Sequence, residues 1–410
     1  MLQPVENSIA AHQAPRSGEG ILTGTHAEPT SSPLRVMHVL NYLRRGGAEF
    51  GILKLMEGLS TAGFEHRICT TRSYDADFVQ AYRLEGILDI AGSERAGLQF
   101  PLFRLKRIFQ KYRPHIVHTR NWGALEAIPA ARLAGVPIVI HSEHGYEVES
   151  LAGLPSRQRV FRRMTYAMAD RVFTVSRELR EFHSRQAWLG PDRISVIYNG
   201  VDTQRFSPSP DLRQRVRREL GFPPERLVIG GVGRMVPIKD YGTLLKAAAI
   251  LLERGVNLHV LLVGKGPELD SLQQQGITLL KDRVSFVGAS DCVPEFLNAM
   301  DIFVLPSVGE GMSNTLLEAL ACGLPLLATQ VGGNPEVIED QRSGWLFAPG
   351  DLGRLSSQLE ALAAKPEIRC ALGAAARARA ITVFSLEGMI ERYRNLYLNA
   401  VTQRRLVPTA

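Results

Sequence analysis

Apolar residues recur along this chain in short runs separated by longer stretches of helical spacing. The runs "RVMHVL" (35–40), "HRICTT" (66–71), "HIVHT" (115–119), "PIVIHS" (137–142), "RVFTVS" (171–176) and "ISVIYN" (194–199) have the length and β-branched content of buried strands. Amphipathic stretches such as 47–61 and 123–134 lie between them. Parallel strands need a crossover helix, so this alternation predicts βαβ units and a parallel sheet. The charged, proline-rich segment "FSPSPDLRQRVRRELGFPPE" (206–225) breaks the rhythm and reads as a connection carrying one exposed helix. The rhythm then restarts with "LVIGGVG" (227–233), "LHVLLVG" (258–264), "VSFVG" (284–288), "DIFVLP" (301–306), "PLLAT" (325–329) and "GWLFAP" (344–349). Two doubly wound α/β domains are expected, one over 34–200 and one over 201–384. Ligands bind beyond the carboxyl ends of such strands, which puts the site in the cleft between the halves. A last amphipathic stretch, "SLEGMIERYRNLYLNAV" (385–401), either ends the second domain or returns to the first.

Composition narrows the class. A chain of 410 residues exceeds one ordinary core, and residues 1–33, without apolar periodicity, read as a disordered tail. Hydrophobic residues at 45% and charged residues at 22% are those of a soluble globular protein. A net charge of +7 calls for an anionic partner: phosphates, acidic lipid headgroups or nucleic acid. Cys69, Cys292, Cys322 and Cys370 show neither CxxC nor Cys/His spacing, which argues against a zinc site or a disulfide framework. No signal-peptide pattern opens the chain, and the longest apolar run, 316–332, contains Glu318 and Pro325. A cytoplasmic protein is expected, free or held at the inner face of a membrane.

Three places could carry chemistry. Gly46 and Gly47 follow the first strand and open a helix, where backbone N–H groups can meet an anion, or where a plain tight turn would serve. Arg234 and Lys239 follow strand 227–233, a fork and a point charge suited to a diphosphate. "GVGRMV" is half of a dinucleotide fingerprint, but it lacks the third glycine, so NAD is set aside. In "GEGMSNTLLEALACGLPLLA" (309–328), Glu310 and Glu318 sit eight residues apart around a helix start. Thr315 as N-cap with Glu318 three residues on would be a capping box, which accounts for Glu318 but not for Glu310. Two carboxylates flanking free amide N–H groups also suit vicinal hydroxyls on either side of a diphosphate.

The E-x7-E spacing of Glu310 and Glu318, together with "VGRMVPIK", "IYNGVDTQRF", "LLVGKGPE" and "VSFVG", resembles the family 4 retaining glycosyltransferases of the GT-B fold. The likeness runs from about 35 to about 400. "HTRNWGALEA" and "HSEHGYE" also resemble the sugar transferases associated with exosortase/PEP-CTERM exopolysaccharide systems. The resemblance implies that Arg234 and Lys239 bind the donor diphosphate, Glu310 the donor sugar and Glu318 the ribose. Gly311, Met312, Ser313 and Asn314 would offer N–H groups, and Gly46 with Gly47 would approach the phosphate from the other domain. His144 matches the histidine near the reacting sugar, with His141 an alternative, while His118 reads as packed at a strand end. The last helix, 385–402, would cross back to the first domain. Met312 and Ser313 stand where the family often has Gly or Phe, which leaves the donor sugar open.

The activity so implied is transfer from a nucleotide diphosphate sugar to a glycan or lipid-linked saccharide, with no metal cofactor. "DAD" (75–77) lacks supporting ligands, and activity should survive EDTA. From position alone, Arg120 and Asn121 are candidates for touching the acceptor in a loop facing the cleft. The basic stretches "PLFRLKRIFQKYRP" (101–114) and "SRQRVFRRM" (156–164) read as solvated helix faces, or together as a contact with anionic lipid. They lack the interleaved aromatics of a nucleic-acid surface. A nucleotide-sugar epimerase and a non-catalytic nucleotide-sugar-binding subunit are the competing readings.

Overall fold

The computed structural model describes residues 32–91, 102–146 and 154–404, so most of the expected tail lies outside it. Seven strands form the first sheet: β1 Leu34–Leu43, β2 Phe64–Tyr74, β3 Leu88–Ile90, β4 Ile116–Arg120, β5 Ile138–Glu143, β6 Arg171–Thr174 and β7 Ser195–Val196. Six form the second: β8 Leu227–Val232, β9 Leu258–Val263, β10 Val284–Val287, β11 Ile302–Leu305, β12 Leu326–Thr329 and β13 Trp345–Phe347. Their orders are β3-β2-β1-β4-β5-β6-β7 and β10-β9-β8-β11-β12-β13. The pairings within both sheets are parallel. Every residue of β4, β5, β8 and β9 is buried. Helices covering both faces require such continuous apolar runs. The edge strand β3 has no counterpart in the sequence reading, because three half-covered residues carry too little pattern.

The chain passes between the lobes twice, side by side. Val201 bridges Ser385, and Leu386 N donates to the Val201 carbonyl at 2.9 Å. A Cβ on Gly200 would lie 2.8 Å from the Ser385 carbonyl oxygen, so this approach needs glycine. Helix Leu386–Gln403 then lays Met389, Tyr393 and Tyr397 onto Val36, Leu55, Ile116 and Phe173 of the first lobe.

Two basic segments differ from the sequence reading. In helix Pro210–Glu219, expected to be exposed, Arg213 and Arg217 clamp Asp301 at 2.5 and 3.1 Å. Asp301 also accepts from Val228 N at 2.7 Å, which ties the helix to the second sheet. Arg162, within the basic stretch 156–164, is fully buried and stacks over Trp122 with 4.9 Å to the ring centroid. Arg157 and Arg163 do face solvent.

Candidate active site

In each sheet the strand order reverses once, between β1 and β4 and between β8 and β11. A crevice opens there, beyond the carboxyl ends of the strands. The loops after β1, β5, β8 and β11 carry the candidate residues.

On the first lobe, Gly46 precedes helix Gly47–Leu59, whose N-terminus has no side-chain cap. Glu49 in that first turn is lifted above the usual carboxylate range by burial, with Arg44, Arg234 and Arg120 pulling it back. His144 follows β5. Its Nε2 meets Ser142 Oγ at 2.9 Å, and its backbone N–H donates to Asn121 Oδ1 at 2.8 Å. Burial and the neighbouring Arg120 push its pKa down to about 3, so the ring is neutral. His141, the alternative, sits on the far side of β5. There its Nε2 lies 3.3 Å from Glu143, in a buried group with Arg162 and His183. Strand pleating explains the split: neighbours three apart face opposite ways.

Arg120 and Asn121 do not form the solvated loop expected from the sequence. Arg120 ends β4, is 3% exposed, and donates to His38 Nδ1 at 3.0 Å. Asn121 has φ 61°, and its side chain is occupied in holding His144. His118 is packed, as the sequence suggested, with its ring nitrogens on Tyr397 and Ser142.

On the second lobe, Arg234 is exposed, and no acid lies within ion-pair distance of it among the described residues. Lys239 ends the short turn Pro237–Lys239 and reaches Glu310 Oε1 at 2.5 Å. Ser307 Oγ donates to the same oxygen at 2.7 Å, which leaves Oε2 without a partner among the described residues. Helix Asn314–Ala321 is capped by Ser313, whose Oγ accepts from Leu316 N at 3.3 Å. The capping box through Thr315 is therefore not formed; the cap lies two residues earlier, and Glu318 falls beyond the first turn. Loss of hydration raises the Glu318 pKa to about 7, with Lys54 and Arg205 opposing the shift. Met312 buries its side chain in the second core and Ser313 uses its own as the cap, so their backbones remain for a ligand.

The lobes touch where these parts meet. Asn314 Nδ2 donates to the Gly47 carbonyl at 3.2 Å, and Asn199 Nδ2 donates to Asn314 Oδ1 at 3.1 Å. A Cβ on Gly311 would stand 2.3 Å from the His144 carbonyl oxygen. The crevice is lined by Gly47, Lys54, Arg120, His144, Asn199 and Asn314, with Met389 and Tyr393 from the last helix. Sequence reading assigned no role to Lys54, Asn199, Ser307 or Tyr393. Asn199 was the most accessible of these, being a polar residue beside the glycine of "IYNGVD" just past a strand.

Two facing doubly wound lobes with this cleft are the GT-B architecture. A solved structure of Anabaena Alr3699/HepE in complex with UDP-glucose aligns with a TM-score of 0.76 at 20% identity, covering 89% of this chain and 99% of that one. The chain belongs to glycosyltransferase family 4. The model described as Glycosyltransferase Family 4 matches residues 45–205, and that described as Glycosyl transferases group 1 matches 226–365. A GDP-mannose-dependent alpha-(1-6)-phosphatidylinositol monomannoside mannosyltransferase of Mycolicibacterium smegmatis is 32% identical over 67% of this chain and 74% of its own length. The UDP-Gal:alpha-D-GlcNAc-diphosphoundecaprenol alpha-1,3-galactosyltransferase of Escherichia coli is 29% identical over 74% of this chain and 80% of its own. The protein is a glycosyltransferase.

Proposed function

We propose that the cleft takes a nucleotide diphosphate sugar and passes the sugar, with retention at the anomeric carbon, to a hydroxyl of a glycan or lipid-linked saccharide. The observation that carries this is the meeting of Gly47 and His144 with Asn314 and Gly311 across the gap, beside the Lys239–Glu310 pair. Arg234 and Lys239 bind the diphosphate and offset the charge that grows on it as the sugar–phosphate bond breaks. The amides from Gly311 to Asn314, at the start of a helix, face the same charge, and Gly46 and Gly47 close over it. Glu310 Oε2 takes donor sugar hydroxyls and Glu318 the ribose. The acceptor oxygen bonds to the anomeric carbon on the face the phosphate leaves, and its proton passes to the departing phosphate oxygen.

These cations do the work a divalent ion does elsewhere. Among the described residues no three His, Cys, Asp or Glu side chains are grouped to hold a metal. The E. coli and M. smegmatis relatives carry UDP-Gal and GDP-mannose in their names, so the nucleotide is assigned by experiment. Both names include a lipid acceptor, which supports a role in cell-surface or exopolysaccharide synthesis at the inner membrane face. Among the described residues no helix is long and apolar enough to cross a membrane. The contact would instead come from the outer helices of the first lobe. Phe103 and Met164 are 73% and 60% exposed there, among exposed Arg104, Arg107, Arg157 and Arg163. Such a face suits the headgroup layer of an anionic bilayer.

The test is transfer from a panel of UDP-, GDP- and ADP-sugars to a lipid-linked saccharide in the presence of EDTA, with the product's anomeric configuration read by NMR. Retention in EDTA supports the proposal. Inversion, strict dependence on added manganese, or interconversion of the donor without acceptor overturns it.

A further inference from the structure

Beneath the crevice a chain of buried hydrogen bonds runs from Tyr397 of the last helix to His144. The Tyr397 hydroxyl lies 2.8 Å from His118 Nδ1. His118 Nε2 is 3.0 Å from Ser142 Oγ, and Ser142 Oγ is 2.9 Å from His144 Nε2. Tyr397 and His118 are fully buried, so an unmade bond there would cost about 1–3 kcal/mol.

The direction of every bond follows from one residue. The Tyr397 O–H has no other acceptor among the described residues than His118 Nδ1 and must donate to it. His118 then carries its proton on Nε2 and donates to Ser142 Oγ. The single O–H of Ser142 is left to donate to His144 Nε2. A neutral His144 whose Nε2 accepts holds its proton on Nδ1. That nitrogen has no protein partner among the described residues and is not among the buried polar atoms left unpaired. The ring lines the crevice, so Nδ1 is open to it. A separate buried chain lies beside it: Arg120 donates to His38 Nδ1, and His38 Nε2 lies 3.0 Å from His66 Nδ1.

We infer that Tyr397 is a positioning residue that fixes His144 in the Nδ1–H form, so that it meets the bound sugar nucleotide as a hydrogen-bond donor and not as a base. Neutral imidazole in this form offers an N–H to a sugar hydroxyl or to the phosphate oxygen that gains charge. The inference rests on the donor-binding reading of the cleft for its use, though not for the tautomer itself. The last helix, far from the donor in sequence, thereby enters the site.

The experiment is long-range 1H–15N correlation of the histidine rings at neutral pH, with His144 assigned by its loss in His144→Gln. The wild type should show one neutral tautomer protonated at Nδ1. Tyr397→Phe and Ser142→Ala, each cutting one link, should both give mixed tautomers and lower kcat about tenfold with donor KM little changed. A wild-type proton on Nε2, or an unaltered His144 pattern in both Tyr397→Phe and Ser142→Ala, overturns the inference. Because the spectra are read without substrate, failure of the glycosyl-transfer reading would leave them interpretable.

Discussion

Glu318 shows how one side chain can be explained by its environment and still be kept at a cost. Its folded pKa of about 7 lies above the 4.5 of the unfolded chain, because burial disfavours the charged form. Below pH 4.5 the group is protonated in both states and contributes no penalty. Between 4.5 and 7 the folded state binds the extra proton, so stability falls as pH rises; above 7 the whole loss is present. Glu318→Gln should therefore unfold at the same temperature as the wild type at pH 4 and be more stable by about 2 kcal/mol at pH 8. Thermal unfolding at the two pH values checks this, and equal stability at pH 8 would contradict it. Ribose binding is the proposed reason a carboxylate stands there: two hydroxyls restore the hydrogen bonds that burial removed.

At the scale of elements, the loops matter through how closely they pass. The Gly311 loop and the His144 loop approach until a single methyl group would collide with a carbonyl. Gly311→Ala should hold the lobes apart without touching either core. Its unfolding temperature should stay near that of the wild type while turnover falls about 100-fold, since a misplacement of about 1 Å at a reacting centre has that effect. Turnover close to wild type would show that the lobes need not close on this contact. Most strands of the two sheets were legible because buried parallel strands are continuous apolar runs, and the position of Arg234, Lys239, Glu310 and His144 beyond strand ends was legible because they follow such runs. The true cap at Ser313 was not, because "SNT" offers three capping residues in a row and only backbone geometry chooses among them. Arg120 was misplaced for a similar reason: a cation just after "IVHT" reads as the first loop residue, yet β4 extends one residue further and turns it inward. Tyr397 was invisible as a site residue, since its hydrogen-bond partner His118 lies 279 residues away in sequence.

For the whole molecule, two near-independent sheets are held in register by two adjacent chain crossings, the returning helix and a few polar contacts. Besides Asn314 with Gly47, Glu336 of the second lobe accepts from Arg177 N at 2.7 Å at the head of a first-lobe helix. Exposed Arg45 and Asp291 pair at 2.7 Å across the cleft mouth, a contact worth at most about 1 kcal/mol. The proposed membrane face belongs to this scale. Sedimentation with anionic vesicles at low salt should carry the protein down, and Arg157→Glu with Arg163→Glu should release most of it; a wild type that stays in solution would remove that face from the account.

The central claim is that Arg234, Lys239, Glu310 and Glu318 form one cradle for a nucleotide diphosphate sugar. Isothermal titration of UDP-, GDP- and ADP-sugars into the purified chain tests it most directly. At least one should bind, and Arg234→Ala combined with Lys239→Ala should weaken that binding by at least about 100-fold, or about 3 kcal/mol, while the protein remains folded. Absence of binding by every nucleotide sugar, or undiminished binding by the double variant, would contradict the account.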